Sequence, residues 1–134
     1  MTQTGSPAPA APGQLSPLLR RPGAVAGEGT AAGVAAHYGD PGREQRLLTA
    51  VVDLSHREVV QIEGPDRRRW LHSITSQHLS DLAPGESAET LVLSPKGHIE
   101  HALHLVDDGE AMWITLEPGT SAALVDWLER MRFL

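Results

Sequence analysis

Histidines carry most of the chemistry available to this sequence: seven occur in 134 residues, and there is no cysteine. His98, Glu100 and His104 are evenly spaced within one β-rich stretch. On a strand, that spacing points all three side chains to one face. A metal would need at least three donors converging at about 2.0–2.2 Å. Residues six apart on a strand lie roughly 20 Å apart, so His98 and Glu100 could share an ion that His104 could not reach. His98-Ile99-Glu100 also has the His-x-Glu spacing of zinc deaminases, but the partner cysteines are absent. The pattern therefore predicts a solvated or ligand-facing strand face and no metal centre.

Two other groups have chemical potential. Asp53-Leu54-Ser55-His56 contains the residue types of a nucleophilic triad. Triad members are assembled by the fold and not by adjacency, so a capped turn with Asp53 or Ser55 on backbone N–H groups is expected. Lys96 is the only lysine, in the turn Pro95-Lys96-Gly97. It is expected to be solvated, with contact to an anionic ligand as the functional alternative. No glycine-rich phosphate loop or nucleophile elbow is present.

The elements that must position these residues follow from pattern. Pro41–Ala50 reads as a short helix, and Val59–Glu63 as a strand. Gly64-Pro65-Asp66 starts a helix running to about Gln77, with Trp70, Leu71 and Ile74 toward the core. Arg67-Arg68-Arg69 is read as its solvated face. Ala83-Pro84-Gly85 breaks the chain, and strands are predicted at Ser87–Leu93, His98–Val106 and Ala111–Leu116. Pro95-Lys96-Gly97 and Asp107-Asp108-Gly109 supply the turns between them. A final helix, capped at Thr120 or Ser121, shows Leu124, Leu128 and Met131 at helical spacing. The order β-α-β-β-β-α gives an α+β core with helices on an antiparallel or mixed sheet.

Composition bounds the rest. Residues 1–36 hold nine Ala, six Gly and five Pro, with three charges and no aromatic. Too little bulky apolar surface is present to offset ordering entropy, so a disordered arm is expected there. Residues 37–134 are the folding unit, with nine Lys/Arg against 16 Asp/Glu. That acidic balance disfavours nucleic acid. No apolar run reaches the roughly 18 residues of a membrane span, and a cytoplasmic setting is expected. The apolar ending Met131-Arg132-Phe133-Leu134 lacks a helix terminator, so the sequence is expected to stop inside a larger protein.

Several phrases recur in a recognisable order: Val52-Asp53-Leu54-Ser55-His56-Arg57, Gly64-Pro65-Asp66, Trp70-Leu71-His72-Ser73-Ile74-Thr75-Ser76-Gln77-His78-Leu79 and Ser94-Pro95-Lys96-Gly97-His98. Over roughly residues 45–134 the chain resembles the N-terminal part of the folate-binding YgfZ / glycine-cleavage T-protein (aminomethyltransferase) family. The resemblance implies a folate ligand, tetrahydrofolate or a relative, met by Lys96, His98, Glu100, Ala102 and His104. In T-proteins the strand after the corresponding turn carries two aspartates, the second catalytic. Here His101 and Ala102 fall at those positions, and Ala102 can act as neither acid nor base. The pattern is closer to the YgfZ branch, which implies support of iron–sulfur cluster assembly or repair, with iron–sulfur proteins as partners. That branch's Lys-Gly-Cys signature has no counterpart in this sequence. A degenerate aminomethyltransferase-like protein and a ligand-free α+β interaction module are the alternatives. No catalytic residue is assigned.

Overall fold

A computed structural model describes residues 15–47 and 51–132. The chain divides into two compact units, one built mainly from 59–116 and 120–134, the other from 11–58 with 117–119.

The first unit is a four-stranded sheet with two helices. Its strands are β3 (Glu58–Glu63), β4 (Ser87–Leu93), β5 (Ile99–Asp107) and β6 (Ala111–Leu116), in the order β3-β6-β5-β4. The pairs β4–β5 and β5–β6 are antiparallel. Helices α2 (Arg67–Ile74) and α3 (Ser121–Met131) supply the second layer. Alternation along the strands explains the core: Val60, Val92, Leu103, Leu105, Met112, Ile114 and Leu116 point to one side. Leu71 from α2, Leu124 and Leu128 from α3, and Leu79 and Leu82 from the 75–86 connection complete the cluster. Each such burial removes apolar surface worth about 1.5–3 kcal/mol per large side chain. This is the α+β arrangement that the sequence pattern predicts.

Helix α2 ends at Ile74, three residues before the expected Gln77. Thr75 is extended, and its hydroxyl donates to the Leu71 carbonyl at 2.8 Å while Ser73 donates to that of Trp70 at 2.7 Å. These short side chains take the last carbonyls and so substitute for another helical turn. Gly64 opens the helix at a φ of 123°, a conformation that L side chains rarely adopt.

In the second unit the structure differs from the disordered arm expected over residues 1–36. Residues 1–14 lie outside the described residues, but 15–36 carry regular elements. A 3₁₀ turn at Pro17–Arg20 leads to β1 (Val25–Ala26), a second 3₁₀ turn at Gly29–Ala31, and β2 (Ala35–His37) antiparallel to β1. The physical reason is that this segment gains its order from polar anchors and backbone bonds more than from bulk. Ser16 is buried, donates its hydroxyl to Asp53 and its N–H to Gly33 (2.8 Å), and caps Leu18. Val34 supplies one buried apolar side chain. Helix α1 covers Pro41–Arg46, started by Pro at its first turn and by Asp40, which accepts from Arg43 N–H at 2.9 Å. The remainder of the helix expected to Ala50 falls on Leu47, which is not helical, and on residues 48–50, outside the described residues.

Candidate functional site

The β4–β5 hairpin positions the residues singled out above. Its turn has Pro95 second and Gly97 last, the latter at a φ of 79°, with Gly97 N–H donating to the Ser94 carbonyl at 2.8 Å. Lys96, His98, Glu100, Ala102 and His104 are all exposed. They do not, however, share one face. Leu91 pairs with Ala102 and Val92 with His101, but Leu93 pairs with Ile99, so Glu100 is an extra residue in a β-bulge. Because directly opposed residues point the same way, Ile99 joins Ala102 and His104 on the outward face and the even spacing breaks at Glu100. His98 precedes the strand. The one-face expectation for His98, Glu100 and His104 is thereby corrected: a bulge inserts one residue and inverts the alternation on its far side.

The outward face therefore holds Ser87, Glu89, Leu91 and Leu93 on β4, Ile99, Ala102, His104 and Val106 on β5, and Trp113 and Thr115 on β6. His104 stands opposite Glu89, with Nδ1 3.0 Å from the carboxylate Oε1. The Thr115 hydroxyl donates to the His104 carbonyl at 3.3 Å. Ala102 places a methyl group at the centre of this face, with no ionisable group of its own.

At the other end of β5 the structure shows what the sequence reading missed. Arg67 is 8% exposed and Asp107 is fully buried; Nε meets Oδ2 at 2.7 Å and Nη2 meets Oδ1 at 2.8 Å. Arg67 also donates to the Gly64 carbonyl at 3.0 Å, and Gly109 N–H donates to Asp107 at 2.9 Å. The Arg67 guanidinium, above all, holds the Asp107 carboxyl below its usual range. Arg68 donates to the Leu82 carbonyl at 2.6 Å. The expectation of a wholly solvated Arg67-Arg68-Arg69 face is corrected by these contacts. A signal was available: Arg67 lies on the helical stripe of Leu71 and Ile74, and Asp107 shares the strand parity of Leu103 and Leu105.

Beside this pair an open cleft of about 570 Å³ is lined by Gln61, Glu63, Asp108, Glu110 and Trp113 among others, and by none of the five candidates. Asp108 accepts from the backbone of Ala111 (2.7 Å) and Glu110 (2.8 Å) and from the Trp113 indole (2.7 Å), which lower its pKa to about 2.

In the other unit, Asp53 accepts from Ser16 and from both the N–H (3.0 Å) and hydroxyl of Ser55. The Ser16 bond, followed by those of Ser55, lowers its pKa. This is the capped turn expected there: both serines donate to Asp53, and His56 is buried with Nδ1 lacking a hydrogen-bond partner among the described residues. Among the described residues no three His, Asp or Glu side chains are grouped to hold a metal ion. No described helix is long and apolar enough to cross a membrane.

With this geometry in view, the chain can be compared with known proteins. No protein-family model matches it. It is 28% identical over 83 residues to a putative chloroplastic transferase of Arabidopsis thaliana, covering 62% of this chain and 19% of the relative. It is 28% identical over 91 residues to an aminomethyltransferase of Prochlorococcus marinus, covering 63% of this chain and 24% of the relative. The fold is shared with the glycine cleavage system aminomethyltransferase T of Bartonella henselae, at a TM-score of 0.69 and 21% identity over 87% of this chain and 34% of that one. The chain thus spans about a fifth to a quarter of the length of these two sequence relatives. What the Bartonella structure shares with this chain is its α+β fold.

Proposed function

We propose that this chain is a folate-facing, non-catalytic module of an aminomethyltransferase-fold protein, serving iron–sulfur cluster assembly or repair. The observation that carries the reading is Ala102: the outward face of β5 presents a methyl group where the resemblance to T-proteins expects the catalytic carboxylate. Folate is the ligand by that same resemblance, with iron–sulfur proteins as the partners and a cytoplasmic setting. Lys96 on the hairpin turn suits the anionic glutamate tail, while Ala102 and His104 offer a flat surface to the ring system. His98 and Glu100, displaced by the bulge, approach from the turn.

The face is one open wall. Small-molecule sites bury about 70–90% of their ligand, and a ligand lying on exposed residues keeps much of its surface in water while losing its freedom of motion. Tetrahydrofolate binding by this chain is accordingly weak. Calorimetric titration should give a Kd far above the micromolar range, weakened further by Lys96→Ala, and no aminomethyl transfer should be detected. Micromolar binding would contradict the one-wall argument.

The alternative, a degenerate folate-dependent aminomethyltransferase-like protein, is favoured by the activity named for the Prochlorococcus relative. Transfer activity in the unmodified chain would establish it over the iron–sulfur reading.

A further inference from the structure

The imidazole of His72, in the last turn of α2, lies between a donor and an acceptor. Its Nδ1 is 3.4 Å from the N–H of Leu79 and 3.3 Å from the carbonyl oxygen of Gln77. A single ring nitrogen cannot satisfy both. With a lone pair at Nδ1 it accepts from Leu79; with a proton there it donates to Gln77. The ring of His78 stands edge-on to His72, at a centroid separation of 4.5 Å and an interplanar angle of 68°. Its Nε2 is 3.2 Å from the Asp81 carboxylate.

This arrangement sits on a segment that matters for packing. Leu79 is fully buried in the core, and Leu82 nearly so. Just before them, Ser76 N–H donates to the Leu91 carbonyl at 3.0 Å, Leu91 N–H to the Ser76 hydroxyl at 3.0 Å, and Gln77 N–H to the Thr90 hydroxyl at 3.1 Å. Residues 76–77 thereby cover the edge of β4, and 79–82 plug the core.

We propose that His72 is a proton-controlled latch on this segment. In the neutral form carrying its proton on Nε2, His72 ties down the Leu79 amide. In the charged form it releases that amide and grips the Gln77 carbonyl instead. The groups that face the two rings are the Asp81 carboxylate, beside His78 Nε2, and His78 itself, edge-on to His72. Arg68, one helical turn before His72, adds positive charge nearby and is engaged with the Leu82 carbonyl at 2.6 Å. The charged latch therefore retains Leu82 through Arg68 while freeing Leu79.

Nuclear magnetic resonance on the full chain tests this between about pH 5 and 8, where an imidazole ordinarily exchanges its proton. The His72 ring nitrogens report tautomer and charge; the Leu79 amide reports its shift and its hydrogen-exchange protection, corrected for the intrinsic pH dependence. The Leu79 amide is expected to follow the His72 titration and to lose protection by about three- to tenfold in the charged form, the scale of one net hydrogen bond. A Leu79 amide that stays unmoved while His72 titrates overturns the proposal. His72→Asn keeps an acceptor on the helix but no titration, so the Leu79 pH dependence should vanish. Its persistence in that variant also overturns the latch. Should His72→Asn fail to fold, the titration of the unmodified chain decides alone.

Discussion

The two ends of β5 are built on opposite physical terms. At the Asp107 end, a buried guanidinium–carboxylate pair joins α2 to the β5–β6 turn with two short bonds. At the hairpin end, Lys96, His98 and Glu100 are exposed, and a bulge breaks the alternation. The first end resists substitution because removing either charge leaves its partner buried without compensation. The second tolerates change because water replaces every contact. The lesson is that the residues with most chemical potential in the sequence occupy the end that costs least to alter. Arg67, read as part of a solvated helix face, and Asp107, read as a turn residue, by contrast tie α2 to β5.

The largest expected effect lies in the buried pair. Arg67→Met should destabilise the chain by about 3–5 kcal/mol, since it strands a buried carboxylate, as measured by urea denaturation at neutral pH. Removing both charges with Arg67→Met and Asp107→Leu should cost less than the sum of the single changes. A loss below about 1 kcal/mol in the single variant would erase the contrast between the two ends.

Acid should weaken the same end next. Asp107 and Asp108 both have folded pKa values below their ordinary 3.8, Asp108 at about 2. Their contribution is complete above the unfolded value and is lost as pH falls through the folded values. Thermal melts should therefore show stability declining from near pH 4 toward pH 2, with a smaller decline in Asp107→Asn, which lacks one of the three depressed carboxyls, Asp53 being the third. An identical acid profile in that variant would remove Asp107 from the account.

The hairpin end should respond far less. Glu89→Gln deletes an exposed cross-strand partner of His104 and should cost at most about 1 kcal/mol, less in high salt. Smallest of all, Ala102→Asp places a carboxylate on an exposed outward position. It should change stability by no more than about 0.5 kcal/mol in chemical denaturation. A cost of several kcal/mol would mean that Ala102 is packed against something and that this end is not the permissive one.

Much of this architecture was legible in local pattern. Ser87–Leu93 and Ala111–Leu116 were bounded by turn residues, and Thr120 stands at the N-cap position of α3. Leu71, Leu124 and Leu128 announced their burial by spacing. The candidate face was legible only in part. Ala102 was placed by resemblance, and its outward exposure was not. Residues 15–36 misled because their composition lacks bulk, whereas their order comes from Ser16 meeting Asp53, 37 residues away in sequence.

The sequence by itself determined the order β-α-β-β-β-α, the turns and the apolar stripes, because these follow from local periodicity and backbone preference. Only the tertiary structure decided which strand-face residues point together, since one bulged residue inverts the alternation without leaving a compositional mark. It also decided that Arg67 is a core residue. A charge can be buried only when its partner arrives from 40 residues away, and no local window contains both.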